Sequence, residues 1–177
     1  LGELYIDVAD FRNGLRTLRQ AATHFRTHAR AAEVTEKMAN SFASLYLDNA
    51  ADKLAPVTAI ALYDEFRELT PPGKRGDLLV RKLAERLVDI DLLDRAAKLL
   101  QAQIEFRLVG VEKADAGTEL ARVHILNRQP ELALQSLKET EVAGLPPELA
   151  ERRRHLAATA LHDLKRTPEA LGLLKED

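Results

Sequence analysis

Carboxylates spaced four residues apart form the most suggestive pattern in this sequence. Three such pairs occur in successive parts of the chain: Glu3 with Asp7, Asp48 with Asp52, and Glu85 with Asp89. Residues four apart share one face of a helix, where like charges weaken an isolated helix by roughly 0.2–0.5 kcal/mol. Helix propensity therefore does not explain the pairs. We predict that they line a groove for a basic segment of a partner protein; the alternative is a solvated face in an acid-rich chain.

Basic side chains are expected to complete this groove at its other end. They are Arg81, Arg122, His155 and His162. Arg122 follows Glu85 at an interval of 37 residues, which is also the interval at which the chain repeats itself. We therefore expect the groove to change along its length from acidic to mildly basic.

Histidines provide the candidate metal ligands. His24 and His28 are four residues apart, so both imidazoles could meet one metal ion on a helix face. No acidic residue lies between them and no third ligand is evident, so the preferred interpretation is a solvated helix face without a metal. His124 replaces an interior leucine of the repeat pattern, and we expect it to be partly buried and hydrogen-bonded.

Motifs for nucleophilic and cofactor chemistry are absent from the sequence. It contains no cysteine, no G-x-S-x-G, no S-x-x-K and no glycine-rich phosphate loop. We therefore expect neither an enzyme nor a bound cofactor.

The charge balance argues against nucleic acid and anionic membranes as partners. The chain has 26 Lys and Arg against 28 Asp and Glu, a formal net charge of −2. The basic run at residues 152–154 is offset by Glu148 and Glu151, so a solvated face is preferred over a nucleic-acid patch. No apolar run approaches the roughly 18 residues that a membrane span requires.

A repeat positions these residues. The 37-residue interval relates Ala84 to Ala121 and Ala158, and Ala96 to Ala133 and Ala170. A fixed period of about 20–50 residues is typical of stacked supersecondary units. Apolar residues three and four apart on both sides of residues 88–94 predict two helices joined by a tight turn, hence antiparallel. The small alanine side chains then allow the two backbones to approach closely where the helices cross.

The prediction for the whole chain is an all-α solenoid of about five antiparallel helical hairpins, with about ten helices in a single domain. The hairpins are expected at residues 1–28, 33–69, 77–108, 113–141 and 147–177. Pro56, Pro130 and Pro147 are expected to open helices, because a missing N–H is harmless at the first helical position. The Pro- and Gly-rich residues 70–77 predict a loop that ends in a helix-capping Asp77. Since the periodic pattern runs to both ends, we expect a fragment of a longer repeat protein.

One segment carries a specific family resemblance. Leu1-Gly2-x-x-Tyr5, followed by Gly14, Leu18 and Ala21, resembles the tetratricopeptide repeat, although Arg26 stands where a closing proline is usual. The resemblance implies a right-handed α-solenoid whose first helices line a concave, protein-binding surface. The Lys and Asn clamp for a terminal carboxylate, known in some members of that family, is not present.

Residues 62–77, 86–103 and 145–161 resemble the C-terminal region of long, uncharacterised tetratricopeptide proteins of alphaproteobacteria. That resemblance implies a bacterial protein in the periplasm, with a cytoplasmic location left open. We expect a non-catalytic scaffold that binds a protein or peptide segment in the partly acidic groove. The alternative is a structural repeat domain of an envelope protein that self-associates through hairpin ends lacking a polar capping helix.

Overall fold

The computed structural model describes residues 1–48 and 50–175, apart from the side chain of Asp52, and all of its regular secondary structure in that part is helical. The α-helices are α1 (Gly2–Asp7), α2 (Phe11–His24), α3 (Ala31–Leu47), α4 (Pro56–Phe66), α5 (Gly73–Asp89), α6 (Leu93–Phe106), α7 (Gly110–Leu126), α8 (Pro130–Glu139), α9 (Pro147–Asp163) and α10 (Thr167–Leu173). Short 3-10 helices cover Ala50–Lys53 and Arg67–Leu69. The predicted all-α class is confirmed for the described residues, as is the number of about ten helices.

The chain divides into two compact units, Leu1–Leu83 and Ala84–Asp177, with the boundary inside α5. The first unit begins with α1 and α2, which cross at two glycines. A Cβ atom on Gly14 would lie 2.5 Å from Ile6 Cγ1 and 3.0 Å from the Gly2 carbonyl oxygen, so the crossing requires a residue without a side chain. Asp10 begins α2 by accepting a hydrogen bond from the Asn13 N–H.

Aromatic packing forms part of the core of the first unit. Phe42 and Phe66 are fully buried, and the Phe42 ring lies edge-on to Tyr46 with 5.2 Å between centroids. The Tyr46 hydroxyl donates to the Ala59 carbonyl at 2.8 Å, which satisfies its polar end and ties α3 to α4.

Alanines fill the helix contacts of the second unit, where α7 packs against α6, α8 and α9. Ala121 and Ala133 share one core cluster with Leu137 and Ala160, and all four are buried. A second cluster contains Ala158, Leu161 and Ala170. The aligned alanines are thus buried among neighbouring helices, as the packing argument predicted.

Proline positions were predicted correctly, whereas two boundaries were not. Pro56, Pro130 and Pro147 open α4, α8 and α9. The loop predicted for residues 70–77 is wrong from Gly73 onward, because α5 begins there, with Gly73 in the left-handed region at φ +64°. Asp77 therefore lies inside α5 rather than at its N-cap.

The first hairpin was expected to extend to residue 28, but its second helix, α2, ends at His24. Residues 23–30 are all exposed. Helices in proteins are held mainly by packing of an apolar face, and this segment buries none. It turns the chain from α2 into α3.

Candidate functional site

A polar cleft of about 340 Å³ lies between α1 and α3 and contains the first predicted carboxylate pair. We call it the polar cleft; its lining residues are Glu3, Ile6, Asp7, Lys37, Asn40 and Ser41. Glu3 and Asp7 share one face of α1, as their spacing predicted. Lys37, Asn40 and Ser41 of α3 line the same space, and the Lys37 ammonium reaches across it to Glu3 of α1.

Lys37 neutralises part of the acidic charge in the polar cleft. Its Nζ lies 2.7 Å from Glu3 Oε1 and 3.4 Å from Glu33 Oε1. Hydrogen bonding and the positive charge of Lys37 lower the pKa of Glu3. The pKa of Lys37 is raised in turn, most by its hydrogen bond to Glu3 and next by its hydrogen bond to Glu33. Because these side chains are exposed, the ion pairs orient the groups more than they stabilise the fold. The first pair is therefore not a bare acidic surface.

Glu33 is the most perturbed acid beside the cleft. Arg30 donates from Nε to Glu33 Oε2 at 2.9 Å and from Nη2 to Oε1 at 3.2 Å. These bonds, together with that of Lys37, lower the pKa of Glu33 to about 2. Lys37 therefore lies between two carboxylates, Glu3 and Glu33.

Asp7 is the carboxylate that remains open in the polar cleft. It is exposed and makes no hydrogen bond or ion pair with any described residue. Asn40 beside it accepts a long hydrogen bond from Arg75 Nη1 at 3.3 Å through its side-chain oxygen. A carboxylate next to an amide, a hydroxyl and the apolar Ile6 can hold a cationic side chain together with the polypeptide that carries it.

The second carboxylate pair does not lie on a single α-helix. The α3 helix ends at Leu47, and Asp48 is its exposed C-cap residue, whose N–H donates to the Ser44 carbonyl. The backbone of Asp52 lies in the 3-10 helix Ala50–Lys53, and its side chain is outside the described part of the chain. Ala51, in the same 3-10 helix, is buried.

The third pair lies where the spacing predicted. Glu85 and Asp89 are both exposed near the end of α5. Arg81, one turn earlier on the same helix, is half-buried. The pair therefore presents two negative charges to solvent on one helix face.

Acids of the second unit neutralise its predicted basic residues in part. Arg122 Nε donates to Glu119 Oε2 at 2.8 Å, and Glu119 also pairs with Arg152. His155 is exposed, with Nε2 3.5 Å from Glu151 Oε1, and His162 is exposed at the end of α9. Arg122 thus belongs to a mixed-charge cluster rather than to an open basic surface.

The histidine pair is not arranged for a metal. His24 ends α2, and His28 lies beyond the helix, where its Nδ1 accepts from the Arg30 N–H at 3.2 Å. Within the described residues no group of three metal-ligating side chains converges. His124 is buried, with Nδ1 3.0 Å from Gln129 Oε1, so the interpretation of a hydrogen-bonded, partly buried histidine is confirmed.

Arg153 is a residue whose role was predicted wrongly. It is only 8% exposed rather than part of a solvated face. Its guanidinium donates to the Ala114 carbonyl at 2.8 Å, to the Leu137 carbonyl, and to two hydroxyls at 3.2 Å. Those hydroxyls belong to Thr118 and Thr140, which are themselves buried. The contacts join α9 to α7 and to the end of α8.

The sequence contained a signal for this burial. Arg153 stands four residues after the buried Leu149 and seven before the buried Ala160, so it occupies the apolar stripe of α9. Burial lowers the pKa of the Arg153 guanidinium, and the charge of Glu141 opposes that shift. The carbonyl of Leu137 is among the last four of α8, which lack partners within the helix, so Arg153 caps that terminus.

A second cleft, of about 360 Å³, was not anticipated. It lies between the end of α2 and the start of α3, and its lining residues are Ala21, Phe25, His28, Arg30, Ala31 and Val34. Two signals pointed to it. Residues 11–32 contain five arginines, two histidines and no acidic residue, and a phenylalanine sits in the polar stretch that follows α2.

None of the helices in the described part of the chain combines the length and apolar character needed to cross a membrane.

In comparisons with known proteins, the chain matched no protein-family model, no curated protein and no solved structure.

Proposed function

We propose that this chain is a tetratricopeptide-like scaffold that binds a basic segment of a partner protein at the polar cleft. In this proposal the helices form about five antiparallel hairpins stacked as a right-handed solenoid, and the function is binding without catalysis. A likeness of fold is an analogy, so binding is inferred from the residues of the site itself.

Helix contacts support the repeat arrangement. In the second unit α7 contacts its chain neighbours α6 and α8 and also α9, two helices further along. A stack of hairpins requires such contacts, because the first helix of each hairpin packs against both its own partner and the next first helix. Small residues at the contacts of both units, Gly2 with Gly14 and Ala121 with Ala133, support the same arrangement.

One observation carries the binding proposal, and it is the unpaired carboxylate of Asp7 in a cleft whose other acid is already neutralised. Lys37 pairs with Glu3, so one negative charge remains for a ligand. An incoming arginine can bind Asp7 through two parallel hydrogen bonds, whereas a lysine offers a single point charge. The hydroxyl of Ser41 and the amide of Asn40 lie in the same cleft, within reach of the main chain of the bound segment.

Self-association is the second candidate function, and one observation favours it. Leu4 of α1 and the flanking residues Leu1 and Val8 are 64%, 78% and 74% exposed. Exposed apolar side chains of this kind can pair with a second copy. Sedimentation over a wide concentration range tests it: a monomer at every concentration removes this candidate.

A random-peptide array tests the binding proposal. The complete chain should enrich peptides that contain arginine or lysine, and the Asp7→Asn variant should lose them. The matched control is Asp91→Asn, because Asp91 is exposed in the other unit and Asn also tolerates its φ of 62°. Enrichment of basic peptides that persists in Asp7→Asn would place their binding elsewhere and contradict the proposal.

A further inference from the structure

Three arginines of α2 meet two carboxylates near the end of α4, and the group carries more positive than negative charge. We call it the arginine cluster; its members are Arg12, Arg16, Arg19, Glu65 and Glu68. The arginines follow one another at intervals of four and three residues, so they project from one face of α2. All members belong to the first unit. Three guanidiniums against two carboxylates leave one positive charge that the cluster itself does not neutralise.

Arg19 has a structural role in this cluster. Its Nη1 donates to Glu68 Oε1 at 3.1 Å and to the Glu65 carbonyl oxygen at 3.2 Å, and its Nη2 lies 3.8 Å from Glu65 Oε1. The Arg19 guanidinium also lies 4.4 Å from the centroid of the buried Phe66 ring, a cation–π contact. Arg19 therefore joins α2 to the end of α4, and it takes up the charge of Glu68 in doing so.

Arg12 and Arg16 share the remaining carboxylate, which is that of Glu65. Arg16 Nε donates to Glu65 Oε1 at 2.5 Å, and Arg12 Nε lies 3.3 Å from Glu65 Oε2. The contact of Arg12 is an ion pair without hydrogen-bond geometry, since its buried Nε has no hydrogen-bond partner in the described part of the chain. Because both Nε atoms lie beside one carboxylate, the two guanidiniums are neighbours.

The terminal nitrogens of Arg12 and Arg16 are the open donors of the cluster. Neither pair of Nη atoms donates a hydrogen bond to any residue that the structure describes. The two side chains are 43% and 52% exposed, so a ligand can reach them from solvent. Asp10, the acid nearest to Arg12 along the chain, accepts hydrogen bonds from Asn13 through both of its oxygens. Two guanidiniums with unused donors therefore lie side by side at the surface.

We propose that the arginine cluster binds an acidic segment of a partner protein, with a side-chain carboxylate of that segment held by the Nη atoms of Arg12 and Arg16. A guanidinium presents parallel N–H donors that match the two oxygens of a carboxylate, and such charge-assisted bonds are among the strong ones. One carboxylate also balances the single excess charge of the cluster.

This surface is distinct from the polar cleft, where the open charge is the negative one of Asp7. The inference therefore goes beyond the proposed function and stands on separate residues.

Nucleic acid fits the arginine cluster less well than an acidic segment does. Binding to a phosphate backbone uses several cations, each of which releases counterions. Here Arg19 is engaged by Glu68. The carboxylate of Glu65 also remains between Arg12 and Arg16, where it would repel a row of phosphates. A single excess charge suits one carboxylate better than a polyanion.

Two charge-removing variants test the proposal with a defined probe. The probe is a labelled peptide of alternating glutamate and alanine, and its binding to the complete chain is followed by fluorescence polarisation. Arg12→Gln and Arg16→Gln should each bind this peptide about tenfold more weakly than the parent, because each loses one charge-assisted interaction with the carboxylate.

Matched controls separate this surface from other effects. Arg26→Gln removes the same charge from an exposed position beyond the other end of α2, and it should leave the affinity for the acidic peptide unchanged. Asp7→Asn should also leave it unchanged. A peptide of alternating lysine and alanine should give the converse result, with binding lost in Asp7→Asn and kept in Arg12→Gln and Arg16→Gln. Failure of the polar cleft and failure of the arginine cluster therefore give different results. Circular dichroism of each variant verifies that the helices are intact.

Three results would overturn the proposal. The first is an acidic peptide that shows no binding to the complete chain. The second is binding of that peptide that Arg12→Gln and Arg16→Gln both leave intact. The third is a single-stranded polyuridine oligonucleotide that binds the chain more tightly than the acidic peptide and is released by Arg12→Gln or Arg16→Gln, which would assign the cluster to nucleic acid.

Discussion

Replacement of the buried Arg153 tests how the second unit is held together. The Arg153→Met variant keeps the length and packing of the side chain but removes every donor and the charge. The acceptors that it leaves behind stay in place, above all the Leu137 carbonyl at the end of α8. The hydroxyls of Thr118 and Thr140 donate to the carbonyls of Ala114 and Ser136. In the variant they no longer accept a hydrogen bond from the Arg153 guanidinium.

Two opposing effects determine the size of the change. A buried carbonyl left without a donor costs about 1–3 kcal/mol, and bonds to a charged donor are among the stronger ones. Removal of the charge relieves its desolvation, which is itself worth several kcal/mol. The acceptors remain while the donor leaves, and that situation is normally destabilising. We expect Arg153→Met to lose about 1–3 kcal/mol of unfolding free energy.

Urea unfolding followed by far-UV circular dichroism measures the loss, and hydrogen exchange should place it in α7, α8 and α9. The double variant Arg153→Met, Thr140→Val removes one acceptor together with the donor. It should lose less than the two single variants combined, by about 1 kcal/mol. Arg128→Met, at an exposed position of the same unit, is the control and should be nearly neutral. An Arg153→Met variant as stable as the parent, or more stable, would refute the argument, because the guanidinium would then not be needed by its acceptors.

Three further predictions follow from packing and charge. Ala121→Leu should lose about 1–3 kcal/mol in the same unfolding assay, because Ala121 is fully buried beside Ala133; equal stability would mean that the crossing is placed wrongly. Gly117→Ala should lose about 1–3 kcal/mol of unfolding free energy, because its Cβ would lie 2.0 Å from Thr140 Oγ1. Gly172→Ala is the contrast: Gly172 has open space around it in α10, so this variant should gain up to about 1 kcal/mol of unfolding free energy. The pKa of Glu33 is lowered from an ordinary 4.5 to about 2, so its ion pairs contribute stability that is present above pH 4.5 and is lost as the pH falls toward 2. An NMR titration of the Glu33 carboxyl measures this pKa, and a midpoint near 4.5 would contradict the contacts with Arg30 and Lys37.

Local sequence signals gave most of the helices. Pro56, Pro130 and Pro147 mark helix starts because a proline at the first helical position loses nothing. The signals failed at the start of α5. The neighbouring prolines and glycines predicted a loop through residues 73–77, yet α5 already runs through them.

The candidate site was predictable only within single helices. The spacing of Glu3 and Asp7 placed both on one face of α1, but Lys37, which neutralises Glu3, is 34 residues away along the chain. No periodic pattern reports such a tertiary contact. Arg153 shows the same limit, since its long side chain was assigned to solvent by type although its position lies in an apolar stripe.

Zero-length cross-linking tests the central claim most directly. A lysine-containing peptide enriched by the array is bound to the complete chain, a carbodiimide couples amines to carboxylates in contact, and mass spectrometry locates the bond. We predict a cross-link between the peptide lysine and Asp7, which disappears in Asp7→Asn and persists in Asp91→Asn. A cross-link at Glu85 or Asp89 instead, with none at Asp7, would contradict the assignment of the polar cleft as the partner-binding site.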